Sequence, residues 1–125
     1  RFAALYRNLA QAGARVLTVP AAFTKLTGQA HWHVLIRARA IETGSYVIAP
    51  CQYGTLAGGG ECYGHSLIVD PWGQILADGG EDKGFVLAEI NLDQADAARA
   101  RIPALNHDRE FTPVVEDCQT SIAVR

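Results

Sequence analysis

Residues 15–52 read RVLTVPAAFTKLTGQAHWHVLIRARAIETGSYVIAPCQ, two short apolar runs on either side of one long helical pattern. RVLTV, residues 15–19, is a strand stopped by Pro20. Thr27 is placed to cap a helix over residues 29–43. That helix carries Trp32, Val34, Leu35, Ile36, Ala38, Ala40 and Ile41. It is apolar on more than one face and is expected to be largely buried, with Arg37, Arg39 and Glu42 as polar exceptions. Gly44 ends it. YVIAPCQ, residues 46–52, reads as a second buried strand, with Pro50 at its end or at a bulge because proline forfeits a ladder bond. Strand, helix, strand is the βαβ unit, which requires a parallel pair and a right-handed crossover.

Working outward, Phe2, Leu5, Tyr6 and Leu9 fall at the spacing of an amphipathic helix, and Gly13 is placed to close it. Downstream, residues 56–61 are a glycine-rich loop, and residues 66–69, 74–77 and 85–90 read as strands with short connections. Asp70-Pro71-Trp72-Gly73 is a turn of type I character, so these strands are expected to form an antiparallel meander. A last helix spans residues 92–102, capped by Asn91 and stopped by Pro103. The remainder, residues 111–125, lacks a strong period and reads as a tail. The sum is an α/β fold: a mixed sheet with a βαβ unit and then an antiparallel meander. No strand precedes the first helix although α/β layers alternate, and the chain has no Met and begins at Arg1. The expectation is a fragment whose N-terminal half is absent.

Charge is balanced, 11 basic against 13 acidic residues in 125, without the clustered basic face that marks a nucleic-acid partner. No apolar run approaches the roughly 18 residues of a membrane span. The three cysteines form no C-x-x-C pair, so neither a disulfide framework nor a zinc motif is expected; they read as reduced thiols of a cytoplasmic protein.

Local constellations give no convincing active site. Cys51 with His31, His33 or His65 would be a thiol–imidazole dyad, yet Cys51 lies in an apolar run where a thiol is inert packing. His31 and His33, two apart on a helix, point to different faces and do not make a metal site. Glycines 58–60 do not open a helix, so a phosphate cradle is not expected. Glu42 within the apolar helix must find a partner, and Arg39 stands three residues before it.

Four strings in order, RFAALYRNLAQAGARVLTVPAAFT, TGQAHWHVLIRARAIETGSYVIAPCQ, YGHSLIVDPWGQILAD and RIPALNHDRE, resemble the second half of nitrilase-superfamily carbon–nitrogen hydrolases. The resemblance runs from Arg1 to about Arg109 and is nearest the Nit branch, which holds the deaminated glutathione amidases and omega-amidases. It implies that residues 1–110 are the C-terminal part of an α-β-β-α sandwich whose chemistry is a Glu–Lys–Cys triad. The family nucleophile sits in a C-Y-D-x-R-F string. Arg1-Phe2 match its last two residues, which puts the cysteine at the fourth position before Arg1 and leaves Cys51, Cys62 and Cys118 without a catalytic role. An amidase working through a Cys thioester on a small carboxylate-bearing amide is the implied function. The alternatives are an inactive binding or scaffold protein of the same fold, or an acyltransferase; the isolated chain is expected to be inactive. No cofactor and no metal are implied, and a homodimer or higher homo-oligomer is. Ligands of parallel layers gather beyond the C-terminal ends of strands, so Ala21, Ala22 and Phe23 are the expected pocket residues. Thr27, Gly28 and His31 border them, His31 with an equally good structural reading. Arg1, which opposes the dipole of the first helix, is expected to pair with a carboxylate, and Glu42 to support the site from behind. Trp32 and Trp72 read as core and turn packing. His107-Asp108-Arg109-Glu110 departs from the H-R-R-P common in the family.

Overall fold

The amphipathic stripe folds as helix α1 (Ala3–Gln11) in the computed structural model, which describes residues 1–112. The expected tail therefore lies outside the described residues from position 113 onward. A Schellman pair closes α1: Ala14 N–H donates to Leu9 O and Gly13 N–H to Ala10 O, both at 3.0 Å, which satisfies carbonyls that the helix leaves free. Strand β1 (Val16–Thr18), helix α2 (Lys25–Thr43) and strand β2 (Tyr46–Ala49) follow. β1 and β2 are parallel neighbours with Leu17 opposite Val47, so α2 is the crossover of the expected βαβ unit. Pairing continues past the strands through a bridge between Ala21 and Cys51. Pro50 sits just beyond β2, where its carbonyl still accepts from Ala21 N–H at 2.9 Å.

Two features of α2 correct the sequence reading. It starts at Lys25, with Thr24 rather than Thr27 at its N-cap. Gly28, expected to border the pocket, lies inside α2, and Tyr63 packs so closely against it that a Cβ there would lie 2.3 Å from the tyrosine Cβ. The glycine is there for close packing, not to break the helix. Burial is also narrower than expected. Trp32, Ile36, Arg39, Ala40 and Thr43 are buried, whereas Val34 is 67% and Ile41 53% exposed, so α2 hides one stripe only. Gly44, in left-handed conformation at φ 56°, ends the helix. Ser45 N–H reaches back to Ala40 O at 3.2 Å in a second Schellman arrangement.

The glycine-rich loop proves to be the tip of a hairpin, β3 (Tyr53–Thr55) against β4 (Glu61–Tyr63). Next come β5 (Leu67–Val69) and β6 (Ile75–Asp78), antiparallel across the expected turn. Asp70 builds that turn: its Oδ1 accepts from Trp72 N–H at 2.9 Å and Gln74 N–H at 2.8 Å. β5 also pairs antiparallel with β2, which gives a four-stranded mixed sheet of order β1-β2-β5-β6. Residues 85–90 are not a strand. Phe85 is 86% and Leu87 81% exposed, so the alternation has no surface to bury itself on among the described residues, and a period of two alone does not hold a strand in place.

Helix α3 (Leu92–Arg101) has Asn91 as its cap, with the side chain accepting from Asp93 N–H at 3.0 Å. Beyond Pro103 a single 3-10 turn, Ala104–Asn106, completes the described structure. The core lies between α2 and one sheet face: Leu17, Trp32, Ile36, Ala40, Val47, Ala49, Tyr63, Leu67 and Val69. By strand alternation Tyr46 and Ile48 belong to the opposite face. From there the Tyr46 hydroxyl donates to Gln94 Oε1 at 2.6 Å, which holds α3 in place.

Candidate functional site

Pairing with the parallel neighbour runs on past β1 as far as Ala21, and two residues later Phe23 packs against α2. Its ring packs on Trp32 with centroids 5.0 Å apart, and its carbonyl accepts from Tyr63 N–H at 2.9 Å. Arg1 lies over the outer face of the same ring, its guanidinium carbon 5.2 Å from the centroid. Arg1 also donates to Nδ1 of His31 at 3.1 Å, which fixes that nitrogen as an acceptor. Arg1, Phe23 and His31 thus converge, and the indole behind them is 1% exposed. A narrow cleft of about 30 Å³ opens here, lined by Arg1, Tyr6, Val19, Phe23, Trp32 and Arg39 among others.

The other expected site residues stand apart to different degrees. Ala21 is held by backbone bonds to Pro50 and Gln52, and Ala22 is exposed. Thr27 bonds Thr24, hydroxyl to hydroxyl at 2.8 Å, while Gly28 faces Tyr63. Glu42 is on the last turn of α2, about 16 Å along the helix axis from His31 at 1.5 Å per residue. Its carboxylate accepts from Arg39 at 2.6 Å, as expected, but it is the arginine that is buried: side-chain exposure is 10% for Arg39 and 54% for Glu42. Glu42 touches the cleft only through Arg39, which also lies over the Tyr6 ring at 5.6 Å. Arg1 finds a histidine and an aromatic face rather than the expected carboxylate.

The thiols are placed for packing. Burial pushes the Cys51 thiol above its ordinary value, against the partial relief of backbone hydrogen bonds from Phe23 and Gly64. That is the reverse of what an activated nucleophile needs. Among the described residues Cys51 and Cys62 are both free, and no imidazole bonds Cys51.

One cluster was not visible in the sequence. His31 and His33 do diverge, but His33 meets two residues far along the chain. Its Nε2 lies 2.9 Å from Asp78 Oδ2, and His65 Nδ1 lies 2.9 Å from Oδ1 of the same carboxylate. The three donor atoms fall within 4.8 Å of one another, a geometry that can hold a metal ion. Burial raises the Asp78 carboxyl, but bonds from His33, Gly80 N–H and His65 outweigh it and hold the group below its ordinary value. Spacing within α2 could not reveal this, because the partners lie on β6 and between β4 and β5. Among the described residues no helix is long and apolar enough to cross a membrane.

Residues 1–100 match the family model described as carbon-nitrogen hydrolase. The chain is similar to the deaminated glutathione amidase of Synechocystis sp. PCC 6803, with 53% identity over 107 residues, covering 86% of this chain and 39% of that protein. It therefore spans about two fifths of the length of this curated relative. Its fold is similar to the Caenorhabditis elegans NitFhit protein, with TM-score 0.83 and 43% identity, covering 87% of this chain and 26% of that one. Saccharomyces cerevisiae Nit3, a member of branch 10 of the nitrilase superfamily, gives TM-score 0.81 at 36% identity, covering 89% of this chain and 41% of that one.

Proposed function

The chain belongs to the carbon–nitrogen hydrolase family, and we propose that the protein it comes from is an amidase acting on the terminal amide of a small carboxylate-bearing molecule. The observation that carries this reading is the 53% identity to a deaminated glutathione amidase. In the proposed reaction a Cys thiolate attacks the amide carbonyl carbon, and the resulting oxyanion is held by a Lys ammonium. A Glu carboxyl gives its proton to the departing nitrogen, the C–N bond breaks and ammonia leaves. The same Glu then takes a proton from water, which cleaves the thioester to free acid and thiol. We assign this triad to the part of the relatives' length that the present residues do not span. What these residues contribute is the wall beside it: Phe23 backed by Trp32, with the Arg1 guanidinium at the mouth as the group suited to a substrate carboxylate.

The same proposal includes a homodimer or higher homo-oligomer in the reducing cytoplasm, in keeping with the free thiols Cys51 and Cys62. Ammonia release by the whole protein from deaminated glutathione and from a simple omega-amide tests the reading. Turnover of either, lost when the upstream cysteine is changed to alanine, is the expected result. A protein that binds these amides without turnover is a scaffold. One that forms hydroxamate from hydroxylamine faster than free acid is an acyltransferase. Residues 1–125 alone are expected to release none, and ammonia from them would place the chemistry within this chain.

A further inference from the structure

We infer that His33, His65 and Asp78 form a binding site for a divalent transition-metal ion of the zinc class, with one coordination position left for water or an incoming ligand. Three separate elements supply the donors: His33 from α2, His65 from the link between β4 and β5, and Asp78 from the last position of β6. Their donor atoms already lie within 4.8 Å of one another. Metal–nitrogen and metal–oxygen distances of about 2.1 Å in a tetrahedral shell ask for donor separations of about 3.3 Å. Small side-chain rotations from the present 2.9 Å contacts provide them. Two imidazoles and one carboxylate suit zinc-like ions, whereas a calcium or magnesium site would be built of oxygens alone.

The surroundings hold the donors in place. His65 has φ 57°, a left-handed conformation that a residue with a side chain rarely adopts and that persists where neighbours over-determine it. Trp32 Nε1–H bonds the His65 carbonyl at 2.7 Å, and Gly80 O takes the His65 N–H at 2.6 Å. Tyr63 stacks on His65 with centroids 4.3 Å apart, and its hydroxyl lies 3.4 Å from His33 Nδ1. That contact lets the tyrosine oxygen accept from Nδ1–H while Nε2 turns to a metal, the usual outer partner of a ligating histidine. Gly80 N–H bonds Oδ1 of Asp78 at 2.9 Å, which orients the carboxylate and leaves Oδ2 to coordinate. An ion here would tie α2 to the far edge of the sheet.

The test uses the whole protein stripped with chelator and then titrated with zinc chloride by calorimetry and with cobalt(II) by visible absorption. One equivalent bound, with the intense d–d bands of a four-coordinate cobalt site, is expected. His33→Gln and Asp78→Asn should each weaken zinc binding at least about tenfold, while His107→Gln leaves it unchanged. Thermal melting of each variant identifies any that fails to fold; for such a variant, an anomalous-scattering map of the wild-type protein soaked in zinc takes its place and should show the ion between the three side chains. No uptake, uptake indifferent to both substitutions, or a peak elsewhere overturns the proposal.

Discussion

At single positions, neighbours decide what the residue type leaves open. Gly28 is the clearest case. Replacing glycine by alanine inside a helix ordinarily gains up to about 1 kcal/mol, yet here the new methyl would sit 2.3 Å from Tyr63 Cβ. Overpacking of a tight contact costs about 1–3 kcal/mol, so Gly28→Ala should lower stability, and urea denaturation of the whole protein would show it. Tyr63→Ala made alongside should remove most of that increment; a gain in stability from Gly28→Ala alone would contradict the packing argument. Arg99 acts the other way, by filling vacancies. Its guanidinium donates to the carbonyls of Ala14 and Thr43 and, at 2.8 Å, to Ser45 Oγ, joining α3 to the ends of α1 and α2. Burial lowers its pKa, with the Asp96 charge opposing and Arg15 assisting, though a guanidinium stays charged throughout. Arg99→Ala should lose about 2–3 kcal/mol, the scale of a charged hydrogen bond whose partners are left unpaired. Arg99→Lys should not restore it, because one ammonium cannot reproduce a planar fork. Equal stability of the lysine variant and wild type in the same urea series would rule this account out.

Elements depend on their ends and on what they pack against. Asn91 accepts from Asp93 N–H and starts α3, so Asn91→Ala should cost about 1 kcal/mol while Asn91→Asp keeps the cap; thermal melts of the pair decide it. The segment after α3 is tied to α1 by Asp108, which pairs with Arg7 at 2.7 Å and accepts from Gln11. The Arg7 hydrogen bond, then that of Gln11, depresses the Asp108 carboxyl in the fold. Its small, solvent-screened contribution is therefore present above the unfolded value near pH 4 and is lost as pH falls through the lower folded value. An Asp108→Asn protein should show a slightly flatter acid limb in its stability–pH curve, and an unchanged limb would discount the pair. Much of this architecture was readable from local pattern: the stripe of Phe2, Leu5, Tyr6 and Leu9, the glycine after each of the first two helices, the Asp70–Gly73 turn and the Asn91 cap all act within a few residues. What escaped reading is set by distant contacts. Gly28 is expected beside the pocket, and its close contact with Tyr63 has no local signal because the two stand 35 residues apart; the hairpin of Tyr53 and Tyr63 hid behind glycines that suggested a loop. Conversely, Phe85 and Leu87 alternate like a strand but have nothing described to lie on. Of the candidate site, Phe23 and His31 are expected near the end of a parallel strand, and the structure brings both against Arg1. The union of His33 with Asp78 across 45 positions and of Asp78 with His65 across 13 has no local signal at all.

Across the whole molecule, apolar groups are distributed unevenly between core and surface. One sheet face and one stripe of α2 share a closed core, but Leu26, Val34, Ile41, Phe85, Leu87 and Phe111 are each more than half exposed. Both outer strands, β1 and β6, also keep a side without a partner among the described residues. Isolated soluble domains seldom display so much apolar surface, and unpaired strand edges recruit other chains. The 125-residue chain on its own should therefore self-associate: light scattering after size exclusion should give masses above 13.4 kDa that rise with concentration. Charge placed on the outer stripe of α2, as Val34→Lys with Ile41→Lys, should shift the distribution toward monomer without unfolding the helix, because neither side chain is part of the core. The physical cause is separable from simple misfolding. A misfolded chain would lose its sharp melt and gain nothing from the two lysines, whereas a folded chain with an uncovered face keeps its helical signal as it dissociates. A monodisperse wild-type monomer with a cooperative transition would mean that these exposed side chains find cover within the chain itself, and the account of an uncovered face would fail.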